Sequence, residues 1–428
     1  MDMKDTIISY FQELNPDVLI QAPSRINLIN PLDAVEGDFW MPTVAINGAK
    51  NPLSAFCYIK EKQKHKRSTL KIFTLDSSKT GLDIKLEKEE ELLKDIVKIK
   101  AKFKSDLRLV YGSIYRLYKT LSSFWDQYLS KEFEIGILTT IPRQSGLGGS
   151  ASIIVALLYS LSVYFELFNN LNILKEGDYP INKDTIAEIA TKVEDQDLNI
   201  TAGYADRYAI SRGGLSFCSY YGKLYHKDLG KEPLAVYDRI DKVYQIKKIP
   251  IIICFSGVYH ESGGVHDKLR ELYLSNETNI LENYKKLSKI AWKSRLALMS
   301  QNWKSLGKYF KKNTKLMNII MQEAGFKFGI GLANNILITL IEDHPNVYAA
   351  KLTGAGGGGC VFALVDPNKI EEVKSYWNDE LNTIIRNKKR FIQKFPVYPP
   401  EISKELSHAE FFSVHIDTEG VRVLYQKN

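Results

Sequence analysis

The chain has 428 residues, 44% hydrophobic and 25% charged, which excludes disordered, collagenous and coiled-coil classes. That length is too great for one hydrophobic core, so two domains are expected. Fifty-eight Lys and Arg against 50 Asp and Glu leave a net charge of +8, and four cysteines (Cys57, Cys218, Cys254, Cys360), none at CxxC spacing, make neither a disulfide scaffold nor a zinc site.

Residues 1–14 place Ile7, Ile8, Phe11 and Leu14 on one helical face. Asp2, Lys4, Asp5, Glu13 and Asp17 interrupt the first twenty residues, so no signal peptide is expected. Residues 18–30 read as a strand with a Pro-Ser break, and 41–47, 53–60 and 69–76 as further strands. Residues 88–104 and 106–129 read as helices. The basic runs at 60–71 and 94–108 are expected to be solvated faces, because neither interleaves aromatics as a nucleic-acid module does.

Residues 133–140 alternate as a half-buried strand, and 151–168 form a helix apolar nearly all round, hence buried. That helix holds Ser160, Ser162 and Glu166 and is too short to span a bilayer. Residues 183–196 form another helix with Asp184 as the expected N-cap. After Leu215 the character changes. Residues 249–255 (IPIIICF) read as a central strand, 277–298, 303–322 and 330–341 as helices, and 347–352 and 360–365 as strands. A helix at 367–388 and a strand near 412–425 follow. The pattern predicts an α+β protein of two domains, 1–228 and 229–428, with the boundary between residues 215 and 248. A soluble, cytoplasmic protein is expected, with no nucleic-acid or membrane partner, as a monomer or homodimer.

Four features carry chemistry. The first in strength is residues 142–151, Pro142-Arg143-Gln144-Ser145-Gly146-Leu147-Gly148-Gly149-Ser150-Ala151, between a strand and the buried helix. Its glycines let a ligand approach the main chain, and the helix N-terminus offers unpaired N–H groups and a positive dipole end. Together these make an anion site suited to polyphosphate, with Ser150 placed to meet a metal ion or a phosphate oxygen. It is neither a Walker A nor a GxGxxG sequence. The second is residues 353–359 (TGAGGGG), five glycines in seven positions, expected to pack against the active centre. The third is Pro23-Ser24-Arg25-Ile26-Asn27-Leu28 with Asp33 behind it. The fourth is Glu194 and Asp206, twelve apart, where one carboxylate could hold Mg²⁺ and the other orient or deprotonate a hydroxyl.

These features, in this order, resemble the GHMP small-molecule kinases: residues 23–33 the first motif, 142–151 the phosphate loop, 351–360 the third motif. The resemblance implies a two-domain fold, with a left-handed βαβ unit in the N-terminal domain and a ferredoxin-like C-terminal domain. It implies ATP and Mg²⁺, with Pro142, Ser145, Gly146, Leu147, Gly148, Gly149, Ser150 and Ala151 around the triphosphate. Ser150 and Glu194 match the magnesium contacts, and Asp206 matches the aspartate at the acceptor hydroxyl. Arg25 matches a basic residue that stabilises the transferring phosphoryl, and Arg25, Asp33, Asp206, Arg207, Gly356 and Gly357 are expected at the acceptor. GLGGSA replaces the usual GLGSSA, and the first motif lacks the galactokinase Glu-His pair.

Within the family, Asn30-Pro31-Leu32-Asp33, the stretch Ala202 to Arg207 and residues 256–270 (SGVYHESGGVHDKLR) resemble plant glucuronokinases. This implies a sugar 1-kinase, with D-glucuronate as the leading acceptor. Heptose 7-phosphate kinase, another sugar 1-kinase, a mevalonate-pathway kinase and a non-catalytic sugar sensor remain open. His260, His266, Lys268 and Arg270 are candidates for an acceptor's carboxylate, and Tyr204 and Tyr208 for the pocket wall.

Overall fold

A computed structural model describes residues 2–29, 35, 41–48, 51–63, 66–78, 81–167, 182–219, 236–259 and 262–427. Asp33 and His260 lie outside these. The strands are β1 (Val18–Asn27), β2 (Met41–Asn47), β3 (Ser54–Glu61), β4 (Thr69–Ser78), β5 (Gly81–Glu91), β6 (Phe133–Thr139), β7 (Leu215–Ser219), β8 (Val236–Arg239), β9 (Ile251–Phe255), β10 (Val347–Leu352), β11 (Cys360–Val365), β12 (Glu410–Phe412), β13 (His415–Ile416) and β14 (Arg422–Gln426).

Ten strands form one sheet in the order β5-β4-β6-β3-β1-β2-β7-β8, with β14 on β1 and β13 on β2. The β4–β6 pair is parallel, across a connection through β5 and the helices between residues 96 and 130. The C-terminal sheet is antiparallel, ordered β10-β11-β9-β12. With its helices it reads β-α-β-β-α-β in chain order, the ferredoxin-like arrangement. The expected α+β architecture is therefore present. The final strands β13 and β14 return to the larger sheet, so the chain's end lies against its beginning.

Strand β1 is buried along its whole length because it is central. It pairs with β3 from Val18 to Pro23 and with β2 from Ser24 to Asn27. The helix Gly149–Tyr164 packs on β1 and β3, and its nearly uniform apolar surface matches that burial. One core lies beneath this helix, one between the two sheets, and one on the outer side of the C-terminal sheet.

Three expectations fail here. The strand expected near 412–425 is three short strands, β12 on β9, β13 on β2 and β14 on β1, because the chain crosses from one sheet to the other. Residues 88–91 are strand, not helix: β5 spans Gly81–Glu91 and forms a hairpin with β4. Lys and Glu dominate this stretch and favour helix locally. However, Leu82 and Ile84 alternate with Asp83 and Lys85, and Lys71 pairs across the strands with Glu89. The N-cap of the helix Lys183–Lys192 is Asn182, not Asp184; Asn182 Oδ1 accepts from the amides of Asp184 (2.9 Å) and Thr185 (3.0 Å). Asp184 instead pairs with Arg212.

The surplus charge has a location. The helices Thr278–Met299 and Trp303–Glu323 carry ten basic residues against two acidic, which equals the excess of the whole chain. Among the described residues, no helix is long and apolar enough to cross a membrane.

Lys351 on β10 is fully buried, with Nζ donating to the Leu352 carbonyl (2.6 Å) and 4.9 Å from the Phe362 ring centroid. Burial pushes its pKa well below the ordinary lysine value. The unfolded chain then binds a proton that the native state does not, so this group makes stability rise with pH up to the unfolded lysine pKa. Lys351→Met is expected to stabilise the protein at neutral pH by about 1–4 kcal/mol and to flatten that rise. Thermal unfolding from pH 7 to 10 checks both outcomes.

Candidate active site

Strand β1 positions the site. At Pro23 it leaves β3, and the edge it vacates is taken by the glycine motifs. Arg25 N–H donates to the Leu147 carbonyl (3.2 Å), Asn27 N–H to Thr353 Oγ1 (3.0 Å), and Ser24 Oγ to the Leu147 carbonyl (2.7 Å). The two glycine loops also meet each other. Cys360 N–H donates to the Ser145 carbonyl (2.8 Å). A Cβ on Gly146 would lie 2.8 Å from the Thr353 carbonyl oxygen, and one on Gly359 2.7 Å from that of Ser145. Glycine is required here because backbone touches backbone.

A cavity of about 470 Å³ opens beside this junction. Pro142, Ser145, Gly146, Gly148, Gly149 and Ser150 line one end of it. Gly148, left-handed at φ 81°, is the N-cap of the helix Gly149–Tyr164, and no side chain caps that end. Its first amides therefore face the cavity without an internal partner. Ser150 is exposed and does not cap. Ser145 Oγ is buried without a hydrogen-bond partner. Leu147 and Ala151 contribute main chain only, as both side chains are in the core.

At the other end the carboxylates and arginines interlock. Arg25 donates Nη1 to the Gly146 carbonyl (2.6 Å) and Nη2 to Asp206, whose second oxygen accepts from Asn27 Nδ2 (3.2 Å). Arg207 pairs with Glu194, donates to the Gly203 carbonyl (2.9 Å), and lies 3.6 Å from Asp206 Oδ2. Glu194 stands in a π-helical turn, Val193–Asp197, that offers three carboxylates to three arginines: Glu194 to Arg207, Asp195 to Arg270 (2.8 Å) and Asp197 to Arg116 (2.6 Å).

The structure thus brings Arg25, Ser145, Gly146, Gly148, Gly149, Ser150, Glu194, Asp206, Arg207 and Gly356 to one cavity. Gly357 is not on its wall; its amide donates to the Ile330 carbonyl (2.8 Å). Tyr204 and Tyr208 are core residues rather than pocket walls. Lys268 pairs with Glu271 (3.1 Å), away from the lining. Among the described residues, no cluster of three or more His, Cys, Asp or Glu could hold a metal. The oxygen donors Ser150 and Glu194 do face the same cavity.

Sequence reasoning missed Asn27 and Thr353, whose roles exist only once β1 meets the second glycine loop. It also missed Arg108 and Arg143, two exposed cations on the cavity wall.

Residues 108–214 match the family described as GHMP kinases N terminal domain, and residues 294–383 match GHMP kinases C terminal. The chain belongs to the GHMP kinase family. It is 27% identical over 251 residues to probable glucuronokinase 2 of Arabidopsis thaliana, across 57% of this chain and 61% of that protein. It is 25% identical over 262 residues to the D-glycero-alpha-D-manno-heptose 7-phosphate kinase of Campylobacter jejuni, across 61% of this chain and 68% of that one. The match to the plant protein therefore spans less than two thirds of its length. A Lactococcus lactis galactokinase solved with galactose shares the fold, with a TM-score of 0.61 and 16% identity over 98% of this chain and 99% of that one.

Gly146→Ala is expected to destabilise the protein by about 1–3 kcal/mol, from backbone strain plus the clash with Thr353. The nucleotide affinity that the family resemblance implies should also fall at least tenfold. Gly325→Ala is the control, because Gly325 has a similar positive φ but open space around it. Calorimetric unfolding and nucleotide titration of both variants would separate strain from loss of the loop junction.

Proposed function

We propose that the protein transfers the γ-phosphoryl group of ATP to a sugar, with the anomeric hydroxyl of D-glucuronate, giving glucuronate 1-phosphate, as the leading acceptor. The observation that carries this reading is the convergence of an uncapped helix N-terminus, Arg25 and Asp206 on one cavity. Phosphoryl transfer depends on positioning and charge neutralisation more than on covalent chemistry. The amides at residues 149–151 and Ser145 Oγ receive the phosphates. Arg25 spans the distance between the Gly146 carbonyl and Asp206. It therefore reaches both ends of the cavity and neutralises charge on the group in transit. Asp206, fixed by Arg25 and Asn27, orients the acceptor hydroxyl toward that group.

Mg²⁺ held by Ser150 Oγ and Glu194 would neutralise phosphate charge. A hydroxyl and a carboxylate suit an ion that keeps most of its shell in water and phosphate oxygens. Support for a sugar acceptor comes from the glucuronokinase and heptose-phosphate kinase relatives and from the Ala202–Arg207 stretch.

A neutral sugar is the second reading, and the charge pairing favours it. Arg25, Arg207 and Arg270 each already face a carboxylate. Burial lowers the His266 pKa to about 4, so this ring is neutral at pH 7 and is not the cation expected for a carboxylate. A uronate would have to share an arginine with Asp206, Glu194 or Asp195, or reach the exposed Arg108 or Arg143 at the cavity wall.

A coupled assay of ADP release with ATP, Mg²⁺ and a panel of glucuronate, galacturonate, neutral hexoses, heptose 7-phosphate and mevalonate tests these readings. Turnover of at least one sugar is expected, and its loss in excess EDTA. Asp206→Asn should lower kcat by about 100-fold or more while ATP affinity stays within threefold. No ADP release with any acceptor would refute the kinase reading.

A further inference from the structure

The helix Ser262–Leu274 contributes Gly264, His266 and Asp267 to the wall of the cavity that holds Asp206. It is fastened to the N-terminal half at two points. Arg270 donates to Asp195 Oδ1 (2.8 Å) and to the Ala202 carbonyl (3.3 Å), and Thr201 Oγ1 donates to Asp267. His266 lies one turn before Arg270, on the same helix face, and lines the cavity.

The two nitrogens of His266 differ. Nδ1 is buried and has no hydrogen-bond partner. Nε2 is not sealed in this way, and no described residue bonds to it, so it is the end open to the cavity. Buried N–H groups without a partner are rarer than buried acceptors without one. The ring's single proton therefore belongs on Nε2. Burial is the main force keeping the ring neutral; Arg270, Arg25 and Arg207 act in the same direction and Asp206 opposes them. One turn from Arg270 and near enough to Asp206 to feel its charge, the imidazole is an uncharged donor on a wall that also carries the Arg25–Asp206 and Arg207–Glu194 ion pairs.

We propose that His266 donates an Nε2–H hydrogen bond to an acceptor hydroxyl neighbouring the one that Asp206 orients, and that this bond selects the acceptor's hydroxyl pattern. The inference rests on the kinase reading above. A packing histidine would have both nitrogens paired or enclosed, whereas this one leaves a single donor in the cavity. A site that offers a partner to a substrate hydroxyl discriminates strongly against the analogue lacking it, because the donor is then left unpaired.

The test uses whichever sugar the wild-type enzyme turns over. His266→Ala is expected to raise acceptor KM tenfold or more while ATP KM stays within twofold. His266→Gln, whose amide N–H reaches the Nε2 position, should recover most of the loss, and His266→Asn, one methylene shorter, should not. Among monodeoxy analogues of the acceptor, one should be as poor a substrate for wild type as the parent sugar is for His266→Ala, and the substitution should cost nothing further with it. An acceptor KM within twofold of wild type in all three variants overturns the proposal. A parallel rise in ATP KM, or losses that simply add with every deoxy analogue, overturns it as well. A wild-type enzyme inert toward every sugar would refute the kinase reading itself, a different outcome from these.

Discussion

The site depends on the switch of β1 at Pro23. A strand that stayed with β3 would leave no free edge. Because β1 changes partner, the N–H groups of Arg25 and Asn27 become available, and one is taken by each glycine motif. Residues more than a hundred positions apart are thereby set against one short stretch of backbone. Proline suits the switch point, since it has no N–H to leave unpaired. The Arg25 side chain inherits this placement and bridges the loop carbonyl of Gly146 to Asp206.

The charged groups follow the same economy. Three carboxylates of one π-helical turn meet three arginines from three different segments. Such turns are rare and concentrate at functional sites. Here the extra residue per turn spreads Glu194, Asp195 and Asp197 toward separate partners. The result is a set of matched charge pairs, of which Glu194 and Arg207 reach the cavity. The helix pair from 278 to 323 carries a basic surplus equal to that of the whole chain, and none of its residues lines the cavity.

What the sequence disclosed depended on how local the signal was. The glycine loops were legible because only close backbone contact justifies so many glycines, and Ser145, Gly146, Gly148, Gly149 and Ser150 come together on one cavity wall. The central strand Ile251–Phe255 was legible from its unbroken apolar run. β5 was not, because the sheet pairs its Glu and Lys residues across strands while the local preference of those residues is helical. Asn27 and Thr353 gave no sign either, since a lone amide and a lone hydroxyl acquire meaning only from what the fold brings opposite them. His266 was visible, but as a charge; burial, which no sequence window reports, makes it a neutral donor. Asp206 was singled out from the sequence and lines the cavity, while its partnership with Arg25, 181 positions away, was not foreseen.

The return of the last strands to the first has a bearing on how the chain is made. β14 lies against β1 on the side opposite β3, with Gln426 facing Val18 across the ladder. A ribosome releases β1 about four hundred residues before β14 exists, so the sheet that carries the first glycine loop stays open beside β1 until residues 422–426 are made. Contacts of such long sequence separation form slowly and leave strand edges exposed in the meantime. Until residues 415–426 have been added, β1 and β2 each lack a ladder partner, so the larger sheet cannot be completed by the first half of the chain alone.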